Sequence, residues 1–401
     1  MGNHNSKEHI FLYKFLYTVC TLLVYMLGRH IPLYGIDLSA YRDVELNAQT
    51  IFLQSLSGDF NNYSIFILGM WPYMLASMLM LVYMAIKQAD KTSQVSPKKV
   101  TKLMLMTALI IGAVQAYERL SAYEYRVEGD QLLFTKGIVF LEMIVGMLIV
   151  IRLCNQNQKY GLGGRMVIIL VNIMDAMFAM FSQHTPKEMI IPAVLGFFDI
   201  AIMLILETTE KRIAVQRVSI HNIYAEKNYI AYKLNPAGIM PVMFASAAFM
   251  LPQVVFSLIA QFNPDHMMLN QISENMVLTK PLGIIVYLST IWVLSIVFAI
   301  IMIDPKKMSE GLLKAGDSIL DVYAGKQTSR YLIGNVIRFS IYSSLILSVC
   351  LGLPLVLQLY GYMDTTLAML PSSIMMSTGI WIAFYRESKV YLNLDRYKPI
   401  V

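Results

Sequence analysis

The sequence predicts an all-α membrane protein with ten transmembrane helices, and three observations predict it. Apolar residues make up 57% of the 401 and charged residues only 14%, more apolar side chain than a soluble domain of that length hides. Five stretches carry no charge over the length a helix needs to cross a bilayer: Tyr63–Ile86, Leu234–Pro264, Pro281–Ile303, Phe339–Met363 and Thr365–Tyr385. The basic residues are segregated. With ten spans and both termini in the cytoplasm, 25 of the 32 Lys and Arg fall on that side. The other side keeps Arg29, Arg42, Arg119, Arg126, Lys136, Lys187 and Lys280. The positive-inside rule then fixes the orientation.

Taken in order, the first span is Phe15–Gly28. Lys7 and Lys14 ahead of it resemble a signal peptide, but no small-x-small cleavage site follows and more spans do, so it reads as uncleaved. Met1-Gly2-Asn3-His4-Asn5-Ser6 fits a myristoylation pattern, from which a ten-span protein gains little. Tyr63–Ile86 is the second span. Leu103–Tyr117, Gly137–Ile151, Met166–Gln183 and Met189–Leu206 are the next four, and three of these carry an acid: Glu142, Asp175 and Asp199. Intramembrane acids mark a proton path when they are paired. The seventh span is read as a helix from Leu234, with Pro236, Gly238 and Pro241 in its first turns. Pro and Gly at such depth leave backbone groups for a neighbour or water to satisfy, so this span is expected to line something wet or mobile. The last three uncharged runs complete the ten.

Site chemistry is sparse. Cys20, Cys154 and Cys350 all lie in or at the ends of spans and form neither a disulfide frame nor a metal site. The six histidines have no ligand spacing. There is no His-Glu-x-x-His, phosphate loop or nucleophile elbow. Gly161-Leu162-Gly163-Gly164 is a loop between spans rather than a nucleotide fingerprint, because no strand precedes it. No catalytic residue, metal site or cofactor is expected. Two basic loops, Glu207–Lys233 and Asp304–Arg330, are longer than tight connections need and mix charge with Tyr, Ile and Leu. They orient the spans beside anionic lipid, or they also form a docking surface for a cytoplasmic protein.

Five segments, in order, carry a family resemblance. They are Arg29-His30-Ile31-Pro32-Leu33-Tyr34-Gly35-Ile36-Asp37; Ser64-Ile65-Phe66-Ile67-Leu68-Gly69 with Pro72-Tyr73; Lys211-Arg212-Ile213-Ala214-Val215-Gln216; Asn235-Pro236-Ala237-Gly238-Ile239-Met240-Pro241 through Phe244-Ala245-Ser246; and Gly325-Lys326-Gln327-Thr328. Along almost its whole length the chain resembles the SecY family, the channel subunit of the bacterial protein-export translocon. The resemblance implies an N-terminal half (1–183, spans 1–5) and a C-terminal half (184–401, spans 6–10), related by an inverted pseudo-two-fold around an hourglass pore. It implies a lateral gate for signal sequences between spans 2 and 3 and spans 7 and 8. Ser64, Gln115, Asn235, Pro236, Gly238, Pro241 and Ser246 fall in that seam. The polar members either bond across it or bond carbonyls of their own helices.

The family's plug helix corresponds to 49–58, with Ile51, Phe52, Leu53, Leu56 and Gly58; the other reading is an ordinary amphipathic external helix. The family's apolar pore ring maps onto Met70, Met74, Leu170, Met174, Met243 and Met369. Such a collar dewets and blocks ions, and unbranched methionine adapts to passing side chains more easily than isoleucine. The resemblance places motor docking on Lys211, Arg212, Arg217, Tyr323 and Lys326. Tyr323 and Ala324 stand where the family has Arg and Pro. A neutral ring there departs from the usual contact with the motor ATPase SecA. That departure, the short tail and the methionine content resemble the accessory branch of Gram-positive bacteria, which works with its own accessory SecA and exports serine-rich glycosylated adhesins. The housekeeping channel is the alternative. The implied partners are that ATPase, small SecE- or SecG-like or accessory membrane subunits, secretory preproteins and anionic lipids, with no nucleic acid. The implied location is the bacterial plasma membrane. A small-solute transporter would want paired midplane charges and no plug, and an intramembrane enzyme would want a clustered His, Asp or Ser constellation.

Overall fold

The structure, a computed structural model, describes residues 10–37, 63–89, 96–127, 129–217, 229–262 and 275–396. The expected plug at 49–58 (Ile51, Phe52, Leu53, Leu56, Gly58) lies outside the described residues.

Long helices form the body. They are α1 (Ile10–Gly28), α2 (Trp71–Ala89), α3 (Pro97–Ala122), α4 (Asp130–Tyr160), α5 (Met166–Gln183), α6 (Ile190–Thr208), α7 (Met240–Phe262), α8 (Pro281–Ile303), the short α9 (Pro305–Ala315), α10 (Lys326–Leu359) and α11 (Leu370–Arg396). Among the described residues, eight helices are long and apolar enough to cross a membrane. The second and seventh predicted spans are present as α2, of 19 residues, and α7, of 23.

Both helices start later than the uncharged runs do. Residues 65–70 are turns rather than helix, and α2 begins only at Trp71. The stretch before it is drawn into pairing with the segment after α1: Leu33 N–H donates to Tyr63 O at 2.7 Å and Ile65 N–H to Ile31 O at 3.0 Å. Gly69 then takes φ +51, which no helix contains. The seventh span starts at Met240 instead of Leu234. Pro236 and Gly238 therefore sit in a turn ahead of the helix, with Gly238 at φ +63, and only Pro241 lies in its first turn.

Asp304 ends α8 in the left-handed conformation (φ 44) and caps α9, its carboxylate accepting from Lys307 N–H at 3.3 Å. Helices are not the whole fold. The two long loops contribute strands β1 (Glu210–Arg217), β2 (Tyr229–Lys233) and β3 (Asp317–Ile319), which form one antiparallel sheet in the order β2-β1-β3. Ile213 lies opposite Ile230, and Val215 opposite Ile319. Glu210–Arg217 reads Glu-Lys-Arg-Ile-Ala-Val-Gln-Arg; the buried Ile213 and half-buried Val215 share one face, and Arg212, Ala214 and Gln216 are exposed on the other.

Helix packing repeats itself along the chain. α2 packs on α3 and α3 on α4; likewise α7 packs on α8 and α8 on α10. The two sets meet along two seams. On one, α2 touches α7 and α8, and α3 touches α7. On the other, α11 lies against α5 and α1 as well as against α6.

Candidate functional site

The starts of α2 and α7 are built from the same residues. Gly69-Met70-Trp71-Pro72-Tyr73-Met74-Leu75-Ala76-Ser77 and Gly238-Ile239-Met240-Pro241-Val242-Met243-Phe244-Ala245-Ser246 share Gly-x-x-Pro-x-Met-x-Ala-Ser. The local structure is shared as well. Each glycine is left-handed, at φ +51 and +63, and each proline falls in the first turn, where a missing N–H costs nothing. Each serine hydroxyl donates back into its own helix, Ser77 to Met74 O at 2.7 Å and Ser246 to Val242 O at 2.8 Å. Met74 and Met243 thus occupy equivalent places on two helices that pack together. The pattern was present in the sequence but was not noticed there.

Of the six expected ring residues, Met70, Met74, Leu170, Met243 and Met369 are buried and Met174 is partly buried. Met70 and Met74 lie one turn apart at the start of α2, and Leu170 and Met174 one turn apart on α5. Met243 is on α7, and Met369 closes the 3₁₀ turn that leads into α11. Met70 is also held from behind, where the Cys154 thiol on α4 donates to its sulfur at 2.8 Å.

The expected seam residues are buried or half-buried on α3 and around the starts of α2 and α7. Ser64 is fully buried in its bridge to Pro32. Gln115 on α3 is buried, and its Oε1 has no hydrogen-bond partner among the described residues. Ser246 does both things the sequence allowed: it bonds its own helix and faces Tyr287 Oη of α8 at 3.3 Å. Asn235, fully buried, shapes the turn before α7 by donating from Nδ2 to Gly238 O at 2.8 Å. Pro236 is half-buried in the same turn, and Pro241 is buried.

The acids separate into distinct roles. Asp175 is ion-paired to Arg29 at the end of α1, a partner the sequence reading had not supplied. Tyr25, one turn before Arg29, donates to Asn172 Oδ1 at 2.9 Å, so α1 and α5 are joined twice. Glu142 accepts the exposed Tyr34 N–H at 2.9 Å. Asp199 is buried on α6 beside the Cys350 thiol of α10. No group of three or more His, Cys, Asp or Glu suited to a metal occurs among the described residues, and all three cysteines are free.

Sequence reading passed over Glu207, which it took only as a loop boundary. Its side chain is 8% exposed at the end of α6. Its Oε2 accepts from Arg386 Nη1 of α11 at 3.0 Å and from Lys233 Nζ of β2 at 3.3 Å, and its carbonyl accepts from Arg386 Nη2. An acid in the last turn of an apolar span was the available signal, since such a group needs a partner. The node ties the sheet to the helical body beside the Gly238 turn.

Three of the five expected docking residues, Lys211, Arg212 and Arg217, lie on β1. Lys211 Nζ stands 5.4 Å over the Phe339 ring and the Arg212 guanidinium 4.6 Å over Tyr229. Arg217 ends β1 opposite Asp317. Lys326 opens α10 and is exposed, and Tyr323 is 80% exposed. Under this surface Tyr232 is buried and donates to Met308 Sδ at 3.1 Å; burial pushes its phenol up to about 12. The sheet is therefore packed on the body through Lys211, Ile213 and Tyr232, and Arg212 and Tyr229 lie on its other face.

The SecY family profile matches residues 64–384. The chain belongs to the SecY family. Among its relatives are the accessory Sec system protein translocase subunits SecY2 of Leuconostoc gelidum subsp. gasicomitatum (25% identical over 100% of this chain and 99% of the relative), Streptococcus agalactiae serotype Ia (27%; 98% and 97%) and Staphylococcus aureus (29%; 98% and 97%). Those relatives are translocase channel subunits, not enzymes. The fold is similar to that of a protein-conducting channel (TM-score 0.69, 17% identity, 98% of this chain and 95% of that one). It is likewise similar to Sec61 in the canine ribosome–channel complex from the endoplasmic reticulum (TM-score 0.65, 16% identity, 98% and 95%). The SecY family assignment and the apolar helices describe a multi-pass protein of the bacterial membrane.

Proposed function

We propose that this chain is the central channel of a protein-export translocon, passing unfolded secretory polypeptide across the bacterial plasma membrane. The observation that carries the reading is the repeated Gly-x-x-Pro-x-Met-x-Ala-Ser, which puts Met74 and Met243 at matching places on the packed helices α2 and α7. It supports two inverted halves, 1–183 and 184–401, of five spans each, with ten spans in all and both termini in the cytoplasm. Met70, Met74, Leu170, Met174, Met243 and Met369 form the collar between them. The seam of α2 and α3 against α7 and α8 is the lateral gate, where Ser64, Gln115, Asn235 and Ser246 lower the cost of parting and the Pro236–Pro241 turn supplies a hinge.

The chain supplies no motor of its own, so the sheet and α9 dock a SecA-type ATPase. The full-length likeness to SecY2 subunits favours the accessory system, its own SecA and serine-rich glycosylated adhesins over the housekeeping role. Small SecE- or SecG-like or accessory membrane subunits and anionic lipids complete the assembly. The test is reconstitution into vesicles with each motor in turn. A serine-rich preprotein becomes protease-protected, with ATP, only beside the accessory motor. Equal protection with the housekeeping motor would assign the general channel, and protection with neither would remove the reading.

A further inference from the structure

The seam opposite the gate has a feature that the channel reading alone does not require. Arg386 and Glu387 are consecutive in α11, so their side chains leave the helix about 100° apart. Arg386 reaches Glu207 at the base of α6, within its own half. Glu387 reaches the other half, where its Oε2 accepts Gly163 N–H at 3.1 Å in the loop between α4 and α5.

That loop is a rigid socket. Thr18 of α1 accepts from Leu162 N–H at 2.7 Å. Asn157 of α4 donates to Leu162 O at 3.2 Å and to Gly164 O at 2.7 Å. Gly163 is left-handed at φ +69, and a Cβ there would stand 2.9 Å from the Phe384 ring of α11, so only glycine allows this approach. One turn beyond Glu387, the Tyr391 ring lies 4.7 Å beneath Lys14 Nζ of α1, and Lys14 also donates to Gly161 O at 3.4 Å. The carboxylate of Glu387 also sits just ahead of the start of α5, where the helix dipole favours negative charge.

We infer that Arg386 and Glu387 are positioning residues that clasp the two halves at the back of the channel. Arg386 fixes α11 to its own half, Glu387 and Tyr391 fix it to the other, and the clasp sets the resting angle at which the gate closes. At the opposite end of the same seam the halves are joined covalently through the loop after α5, where His184 Nε2 meets Thr366 Oγ1 at 3.0 Å. The halves are then held at both ends of one edge and free to part along the other, as a hinge requires.

The inference rests on the two-half channel reading, and its test separates the two. The full chain, with its motor and partner subunits, is placed in sealed vesicles. Two quantities are read: resting ion leak, and ATP-driven import of preproteins bearing an intact or a shortened signal segment. E387A raises the leak and the import of the shortened-signal cargo about ten-fold, while intact cargo passes at the parent rate. E387Q, which keeps an acceptor for Gly163 N–H, stays within about two-fold of the parent. Parent-like leak and signal stringency in E387A overturn the clasp, as does an E387Q as leaky as E387A. If E387A is lost from the membrane, Y391A, which leaves the carboxylate in place, decides by the same two readouts. A parent that imports no cargo at all refutes the channel reading instead.

Discussion

Replacing Glu207 by alanine tests how the sheet is tied to the helices. The change removes the carboxylate that Arg386 meets at 3.0 Å and Lys233 at 3.3 Å. Breaking a fully buried ion pair from one side costs about 3–5 kcal/mol, and an exposed pair about 0–1 kcal/mol. Glu207 lies near the first limit at 8% side-chain exposure, whereas Arg386 at 36% and Lys233 at 41% stay wet enough to be solvated once their partner is gone. Arg386 also keeps the Glu207 carbonyl. A loss of about 2 kcal/mol follows from weighing these limits. In a chain of this length that lowers the melting temperature by about 3 °C. The assay is thermal unfolding of the purified channel in detergent, for E207A, R386M and the double variant. A coupling of about 1–2 kcal/mol between the two positions is expected. Additive single variants, or an E207A within 0.5 kcal/mol of the parent, would refute the reasoning.

Other expectations follow from the same geometry. Gly238 and Gly69 hold left-handed turns, so G238V and G69V each strain the start of a span by about 1–2 kcal/mol and slow export several-fold in a vesicle import assay, while G334V, half-buried in α10 with open space at its Cβ position and outside any such turn, leaves the rate unchanged. Gly146 lies against the Ile65 backbone, so G146L displaces the turn before α2 and lowers membrane abundance several-fold on an immunoblot. Exchange of Met74 and Met243 for isoleucine stiffens the collar; import of cargo with bulky side chains falls while resting conductance holds, and an unchanged cargo range removes the idea that methionine makes the collar more adaptable.

Much of the architecture was legible because a bilayer imposes it. Pro281–Ile303 has the same bounds in sequence and structure, since an uncharged run between Lys280 and Asp304 has no other way to satisfy its backbone. The starts of α2 and α7 were misread because hydropathy counts apolar side chains and is blind to φ. Gly69 and Gly238 carry no charge, so nothing in the run marks the turn ahead of each helix. The small sheet was missed because its alternation lies within charged loops, where an outward face and a solvated loop look alike. Glu207 and Arg386 are 179 residues apart, and no local pattern joins them. The Gly-x-x-Pro-x-Met-x-Ala-Ser repeat was legible throughout and needed only the two span starts to be laid side by side.

The claim that Met74 and Met243 face a common conduit is tested most directly with a secretory chain stalled part-way through. Single cysteines at Met74 and Met243, in a channel whose own three cysteines are replaced, are compared with cysteines at Phe197 and Ile285, which are 72% and 67% exposed on the outer surface. The two methionine positions crosslink to the stalled chain and the two outer ones do not. Crosslinks from Phe197 or Ile285 with silence at Met74 and Met243 would contradict it.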